Sequence, residues 1–199
     1  LIGKTMVNGP QISLKNIFLS FGEKQIFEGL NLLVQPRDRI ALVGRNGSGK
    51  STLLKVLQGL VIQDEGERIL SKGLSVGYME QDPNLSEFVT LKEYVCSGVL
   101  VSDYHEGEKV AQNLGVDLDM PVNISSGGER RRAALTKLIA ENHDVMLLDE
   151  PTNHLDVEAI EWLEAELKGL SKSFIVISHD RKFLSNLTND TIWVDRGQA

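Results

Sequence analysis

The fold of this chain is decided by the stretch Gly44-Arg45-Asn46-Gly47-Ser48-Gly49-Lys50-Ser51-Thr52. The stretch has the pattern G-x-x-x-x-G-K-S and lies between an apolar run at 40–43 and a run of helical periodicity that ends near Leu57. A strand, a glycine-rich turn and a helix N-terminus form a cradle for phosphate groups, because backbone N–H groups turn towards the anion. Lys50 adds a positive charge, and the Ser51 hydroxyl is placed to bind Mg²⁺. The alternative is a glycine-rich turn without a ligand, but with both flanks present the stretch predicts a nucleoside triphosphate site.

The bulk properties are those of an ordinary globular protein. The 199 residues suit one domain, or one domain with a small lobe, and 41% of them are hydrophobic and 25% charged. The apolar runs are far too short to span a bilayer, and no signal peptide is visible. Cys96 is the single cysteine, which excludes an internal disulfide and fits a reducing, cytoplasmic setting. The net charge of −7 argues against a broad nucleic-acid-binding face.

The order of predicted elements indicates an α/β protein with a helical insertion. Strands are predicted at 12–18, 30–34, 40–43, 67–70 and 75–79. The second half of the chain predicts strands at 145–148, 174–177 and 191–194, alternating with helices at 157–167 and 181–187. Such alternation calls for a parallel sheet with helices on both sides. We expect residues 1–11 to be disordered or tag-like and residues 12–199 to form one domain.

The middle of the chain, residues 82–140, lacks strand signals and predicts a helical sub-lobe. A capping box at Thr90 and Glu93 opens a helix that continues to about residue 97. Further helices are predicted at 108–114 and 129–141, after a polar and irregular segment at 102–107. The sub-lobe therefore consists of three helices that interrupt the strand and helix alternation.

Two adjacent carboxylates, Asp149 and Glu150, follow the apolar strand at 145–148. In a parallel sheet the carboxyl end of a strand opens onto the ligand crevice, at the edge that also carries the phosphate loop. Asp149 is then placed to hold Mg²⁺, and Glu150 to accept a proton from the attacking water. Adjacent acidic residues are often a solvated loop, but behind a phosphate loop in the same chain they predict a hydrolytic site.

The stretch Ser125-Ser126-Gly127-Gly128-Glu129 opens the predicted helix at 129–141. Ser126 and Glu129 have the spacing of a capping box, and glycines suit such a start. A helix N-terminus with free N–H groups is also an anion site. The residues alone leave both interpretations open.

Four stretches in this order resemble the ATP-binding cassette (ABC) domain: the phosphate loop, the Ser125–Glu129 stretch, the run 149–156 that reads Asp-Glu-Pro-Thr-Asn-His-Leu-Asp, and 177–180, which reads Ile-Ser-His-Asp. The resemblance covers essentially the whole chain from about residue 12. It implies a P-loop NTPase fold with a core sheet flanked by helices, an antiparallel β part near the N-terminus and a helical signature sub-lobe. It also implies that ATP, with Mg²⁺, is bound and hydrolysed when the cassette closes head to tail with a second cassette.

The resemblance assigns roles to individual positions. Phe21 would stack on adenine, although a core aromatic is the alternative. Gln81 would coordinate Mg²⁺ and water and link the two lobes. Asp156 would end the D-loop at the interface between cassettes, and His179 would contact the γ-phosphate. The catalytic set that the resemblance implies is therefore Lys50, Gln81, Glu150 and His179, and the metal set is Ser51, Gln81 and Asp149.

The signature residues have a different place in the same scheme. The signature residues would contact the nucleotide that the opposing cassette holds, with Ser126, Gly127 and Gly128 at its γ-phosphate. The full set is Ser125, Ser126, Gly127, Gly128 and Glu129. The leading leucine of the usual signature is Ser125 here, a change that should not abolish the phosphate contact.

Three runs resemble the F subfamily of ABC proteins, in particular its first cassettes. They are 150–156, Glu129-Arg-Arg-Arg132 and Ser178-His-Asp-Arg181. Those proteins carry two cassettes and no membrane domain, and many act on the ribosome, so this chain would be half of such a protein. Their first cassettes usually insert a helical arm between the Q-loop glutamine and the signature. Gln81 and Ser125 are only 44 positions apart, so an arm is absent by nature, deleted or missing from this sequence, with 102–107 as its expected place.

Two other settings compete with an ABC-F role in translation or nucleic-acid metabolism. The first is the motor subunit of a membrane transporter, whose membrane part would be a separate polypeptide. The second is an ATPase head of the coiled-coil kind, which requires a heptad insertion that the sequence lacks.

Overall fold

The computed structural model describes residues 9–79, 82–195 and 197–199 of the chain. Its strands near the N-terminus are β1 (Ile12–Phe21), β2 (Lys24–Val34), β3 (Arg39–Val43), β4 (Glu65–Leu70) and β5 (Val76–Tyr78). The later strands are β6 (Val145–Asp149), β7 (Ser173–Ile177) and β8 (Asp190–Trp193). The helices are α1 (Lys50–Gln58), α2 (Leu91–Cys96), α3 (Tyr104–Asn113), α4 (Gly127–Glu141), α5 (Val157–Gly169) and α6 (Arg181–Leu187). Short 3₁₀ turns lie at Val101–Asp103 and Val122–Ile124.

Three strands form the antiparallel part in the order β2-β1-β4, as the resemblance implied. A two-residue turn joins Phe21 to Lys24, with Gly22 in the left-handed region at a φ of 61°. β1 and β2 are both longer than the strands predicted at 12–18 and 30–34. The ends that the prediction missed contain buried Leu19 and Phe27 among exposed residues such as Ser20, Lys24 and Gln25, so each offers too short an apolar alternation to identify a strand.

Five strands form the parallel sheet in the order β5-β6-β7-β3-β8. All residues of β6 and β7 are buried, as expected for central strands covered on both faces. The sheet separates two hydrophobic cores. One core contains α1, the antiparallel sheet and one face of β6 and β7, and the other contains the opposite face together with α2 to α6.

The helical lobe consists of α2, α3 and α4 and contains Cys96 as a buried residue. The prediction of an irregular segment at 102–107 was wrong, because a 3₁₀ turn at 101–103 leads directly into α3 at Tyr104. Gly107 lies inside α3 and does not break it. A Cβ there would lie 3.3 Å from the Val95 side chain, so glycine at this position lets α3 pack closely against α2. Burial raises the pKa of the Cys96 thiol, which agrees with a packing residue rather than a nucleophile.

The folded domain begins further upstream than the predicted boundary between residues 11 and 12. The Gln11 N–H donates to the Val34 carbonyl at 2.7 Å, and the Ser173 hydroxyl donates to the Gln11 side chain at 2.6 Å. Gln11, which the prediction placed in the loosely ordered segment, is therefore held by the two sheets. The rest of the predicted domain division stays a prediction, and residues 1–8 lie outside the described part. Within the described residues, every helix is too short or too polar to cross a bilayer.

Candidate active site

The phosphate loop connects the end of β3 to the start of α1, and two of its glycines are required by close approach. A Cβ at Gly44 would lie 2.4 Å from the Val194 carbonyl oxygen, so no side chain fits between the loop and the chain after β8. Gly49 has a φ of 101°, and a Cβ there would lie 3.1 Å from Ile26 and from Phe27. The antiparallel sheet and the parallel sheet therefore both press against the loop and fix its path.

The loop presents donors at its open side. The Lys50 ammonium donates to the carbonyl oxygens of Gly44 and Arg45 at 2.9 and 3.0 Å, which folds it over the loop. Among the described residues, the backbone N–H groups of Gly49 and Lys50 have no acceptor outside the loop or within it. Free N–H groups at a helix N-terminus, beside a lysine ammonium, fit a phosphate group.

Asp149 ends β6 beside the start of α1. Its side chain is 2% exposed, and its Oδ2 atom has no hydrogen-bond partner within the described part of the chain. A buried carboxylate oxygen without a partner is costly, unless a cation satisfies it. Proteins hold Mg²⁺ through one or two carboxylates together with phosphate oxygens rather than in a cage of their own. Asp149 and Ser51 fit this arrangement, and the described residues contain no cluster of three or more acidic, histidine or cysteine ligands.

Glu150 lies between the ends of two neighbouring strands. Its backbone is in the left-handed region at a φ of 52°, and its N–H donates to the Ile177 carbonyl at 2.8 Å. The carboxylate accepts the His179 backbone N–H at 3.2 Å and lies 3.2 Å from the His179 Nε2 atom. Burial raises the pKa of Glu150, while the hydrogen bond from His179 acts in the opposite direction. A raised pKa suits a carboxylate that accepts a proton from water.

These groups surround one cleft of about 470 Å³. Phe21 stands at its rim with 52% of its surface exposed, so it is not a core aromatic. The other lining residues are Lys24, Ile26, Asn46, Gly47, Gly49, Lys50, Ser51, Thr52, Asp149, Glu150, Ile177 and His179. Arg45 and Ser48 line an adjoining hollow instead, and Gln81 lies outside the described residues. The structure thus brings most of the predicted nucleotide residues together, while their roles stay predictions.

Sequence reasoning missed Lys24 and Ile26, which the hairpin after Phe21 carries into the cleft. The predicted start of the second strand at 30 left these two residues in a loop. A two-residue turn at Gly22 was the available signal, because it brings the residues that follow next to Phe21.

The signature stretch caps α4 at a distance from this cleft. The Ser126 hydroxyl accepts the Glu129 N–H at 3.3 Å, and the Glu129 carboxylate accepts the Ser126 N–H at 2.7 Å. These bonds lower the pKa of Glu129. Ser126, Gly127 and Gly128 do not line the cleft with Lys50. The capping-box interpretation is therefore observed, and the site for an anion stays a prediction for an opposing molecule.

Ser125 differs from its predicted place. Its side chain is 8% exposed, and its hydroxyl donates to the Val122 carbonyl at 2.7 Å and accepts from Arg130 at 3.0 Å. A hydroxyl held in this way does not face an incoming nucleotide, so Ser125 supports the turn before α4. Asp156 caps α5 by accepting the Ala159 N–H at 2.8 Å and remains exposed beside the D-loop.

Comparison with known proteins adds the family. Residues 27–153 match the family described as ABC transporter. The chain belongs to this family. The ATP-binding protein Uup of Caulobacter vibrioides is 44% identical over 94% of the chain, which corresponds to 30% of Uup. The energy-dependent translational throttle protein EttA of Mycobacterium tuberculosis is 33% identical over 94% of the chain and 41% of EttA. The ABC cassette thus spans about a third of the length of these relatives, and the predicted resemblance to ABC-F cassettes is confirmed.

Solved ABC cassettes share the fold. The dimeric structure of a bacterial ABC transporter cassette matches with a TM-score of 0.80 at 24% identity, over 94% of this chain and 96% of that one. A dimeric post-hydrolysis cassette bound to ADP and Pi matches with the same TM-score at 23% identity, over the same shares. The predicted fold class, an α/β P-loop NTPase with an antiparallel part and a helical lobe, is confirmed.

The alignments also bear on the expected arm. The alignment with EttA extends over 228 positions, more than the 199 residues of this chain, so EttA carries a segment without a counterpart here. The alignment with Caulobacter Uup covers the same 94% of the chain in 187 positions, which leaves no room for such a segment. The three alternatives for the expected arm therefore stay as predicted.

Proposed function

We propose that this ABC cassette binds ATP with Mg²⁺ and hydrolyses it after closing head to tail with a second cassette, as part of an ABC-F protein. The observation that carries the proposal is a single cleft in which the phosphate loop faces Asp149, with an unpartnered buried oxygen, and Glu150, with a raised pKa. A donor cradle, a metal ligand and a proton acceptor are the parts that phosphoryl transfer to water requires.

The protein's own groups position and polarise the substrate in this mechanism. Phe21 stacks on adenine, and Lys50 leaves the loop carbonyls to bind the β- and γ-phosphates. Ser51, Gln81 and Asp149 would hold the Mg²⁺ ion, which supplies positive charge next to the phosphoryl oxygens. Glu150 accepts a proton from the attacking water, and His179 stabilises the charge on the transferring group. Catalysis then consists of positioning and electrostatic stabilisation.

A second cassette completes the site. The Ser126 end of α4 is exposed and lies outside the cleft of its own chain, so an opposing nucleotide can reach the N–H groups there that the capping box does not use. The second cassette is either part of the same longer polypeptide or another copy of this chain. Dimeric solved cassettes support this pairing. A single copy is expected to bind ATP and to turn it over slowly.

The wider setting follows from the relatives. The name of EttA refers to translation, and we infer that the protein acts in the cytoplasm on translation or nucleic-acid metabolism. Contact with the ribosome would then use parts outside this chain.

The test is sedimentation of a Glu150→Gln variant with and without Mg-ATP. The amide keeps the shape of the carboxylate and removes the base, so a closed pair with ATP inside is expected to accumulate. Glu158→Gln is the matched control, because Glu158 is an exposed acidic residue at the start of α5. A variant that binds ATP and remains a monomer at high concentration contradicts pairing between copies, and rapid hydrolysis by a strictly monomeric sample contradicts the composite site.

A further inference from the structure

A hollow of about 560 Å³ lies between α3, α4 and α5, apart from the nucleotide cleft. Its apolar lining comes from α3, from α4 and from the segments that follow α2 and α5. The apolar lining residues are Val99, Leu100, Val110, Ile139, Ala140 and Leu170. We call this hollow the lobe groove.

Two aliphatic side chains lie in solvent at one end of the lobe groove. Leu100 lines the groove and is 73% exposed, and Val101 next to it is 76% exposed. Neither side chain belongs to the hydrophobic core that contains α2 to α6. Packing within the chain therefore does not account for them, whereas adjacent exposed apolar side chains beside an apolar hollow are typical of a protein interaction site.

The charged side chains at the rim of the groove are acidic. Asp103 and Glu106 lie on one side, at the start of α3, and Glu166 lies on α5. Glu106 is paired with the exposed His105 at 3.2 Å. Asp103 and Glu166 have no lysine or arginine partner among the described residues, and Asp103 accepts a hydrogen bond only from the neighbouring Ser102 hydroxyl. The rim therefore carries carboxylates that the chain itself does not neutralise.

The lining offers no positive charge to balance this rim. Glu141, the fourth acidic residue of the lining, is already paired with Lys137 at 3.5 Å. None of the lining residues that the structure describes is basic. An apolar floor with an acidic rim attracts a partner that brings apolar side chains flanked by lysine or arginine, and it repels nucleic acid.

We propose that the lobe groove binds one amphipathic helix of a separate protein, whose apolar stripe is flanked by lysine or arginine side chains. A helix suits a groove between helices, because its residues at i, i+3, i+4 and i+7 form one apolar stripe. A second copy of this chain is a poor occupant, since both copies carry the same carboxylates and a net charge of −7.

The class of partner agrees with the setting proposed above. Proteins that bind nucleic acid are rich in lysine and arginine. An acidic cassette can therefore reach a nucleic-acid assembly through a basic protein, without a basic face of its own. This binding goes beyond ATP hydrolysis and does not require it.

The probe for the test is a synthetic peptide of about 18 residues, with leucine at i, i+3, i+4 and i+7 and lysine at the other positions. Its counterpart carries glutamate in place of lysine. Fluorescence anisotropy gives the dissociation constant of each peptide, and amide hydrogen exchange shows which segments of the chain the peptide protects. The lysine peptide is expected to bind one to one and to protect the segments that line the lobe groove, whereas the glutamate peptide should not bind.

Two variants and two matched controls locate the site. Leu100→Ser should raise the dissociation constant of the lysine peptide about tenfold, because it removes an apolar anchor. Glu166→Gln should raise it about threefold and reduce its dependence on salt. The controls are Ile62→Ser, at an 82% exposed residue between α1 and β4, and Glu158→Gln, at an exposed residue of α5 outside the groove. All four variants should keep the thermal midpoint of the parent, since none of these side chains belongs to a hydrophobic core.

Several results would overturn the proposal. Equal binding of the two peptides would do so, as would equal losses of affinity in Leu100→Ser and Ile62→Ser. Self-association of the chain that Leu100→Ser abolishes would identify a second copy as the occupant instead. A longer polypeptide that contains this chain and fails to bind the peptide would show that one of its own segments fills the groove. None of these results bears on ATP hydrolysis, so the proposed function is tested separately.

Discussion

Replacement of Phe21 by alanine tests whether adenine binds at the rim of the cleft. Phe21 is 52% exposed. A phenylalanine side chain offers about 200 Å² of surface, so about 100 Å² of this one remains open. A base laid over one face covers about 50 Å² of the ring and a matching ~50 Å² of its own surface, which is worth about 2.5 kcal/mol at ~25 cal/mol per Å².

This free energy predicts a dissociation constant for ATP about 60-fold higher in Phe21→Ala. Measured effects of removing one stacking aromatic, about 1–3 kcal/mol per base, agree with this magnitude. The stability of the fold should change little, because half of the side chain is already in solvent. The assay is equilibrium fluorescence titration of the monomer with labelled ATP, followed by competition with inorganic tripolyphosphate, whose affinity should not change.

Leu33→Ala is the matched control. Leu33 is also 52% exposed and lies at the opposite end of β2 from the cleft. The reasoning is refuted if Phe21→Ala binds ATP as tightly as the Leu33 variant, or if it weakens tripolyphosphate as much as ATP. Phe21→Tyr should retain the affinity for ATP, since its ring offers the same face.

Three further changes have defined outcomes. Glu150→Gln should lower kcat about 10²- to 10⁴-fold in a paired sample. At pH 7 the same change should raise the thermal midpoint of the nucleotide-free protein. The reason is that burial raises the pKa of Glu150, so the folded state disfavours its ionised form. This difference should vanish in thermal scans below the pKa of an exposed carboxyl group, where folded and unfolded chains are both protonated. Gly44→Ala should lower the free energy of unfolding, measured in urea, by about 1–3 kcal/mol, because its Cβ clashes with the Val194 carbonyl. Gly169→Ala should leave the free energy of unfolding unchanged, because the space around Gly169 is open. Ser126→Ala should lower the free energy of unfolding by about 1 kcal/mol in the same measurement, and Ser126→Asp should lower it much less, since aspartate also caps a helix. Equal losses of stability in the two variants would contradict the capping geometry.

The cleft was predictable because its parts lie at positions that local sequence rules define. Asp149 follows an apolar strand, and His179 follows the next one along the chain. Since β6 and β7 are parallel neighbours, both residues emerge at the same edge of the sheet, beside Lys50. The contact between Glu150 and His179 follows from the order of β6 and β7, which the structure supplies.

Other parts depend on contacts that hydrophobic periodicity does not reveal. Nothing in the local pattern indicates that Ser125 is buried, because its burial results from hydrogen bonds to Val122 and Arg130. The His154 ring lies against Gly128 at the start of α4. The sequence pattern does not indicate this contact either, since a histidine in a turn belongs to no periodic pattern. The assignment of the signature to an opposing nucleotide came from the family resemblance alone.

The two hydrophobic cores explain why the proposed catalytic residues lie where they do. The phosphate loop leads into α1, whose buried leucines belong to one core, whereas the buried residues of α4, from Ala133 onward, belong to the other. The two cores share the central strands of the parallel sheet, whose alternate residues face opposite sides. Glu150 and His179 emerge at the ends of these shared strands. Glu150 and His179 therefore lie where the two cores meet, so a change in lobe orientation that alters the ends of β6 and β7 also alters the geometry of the proposed base.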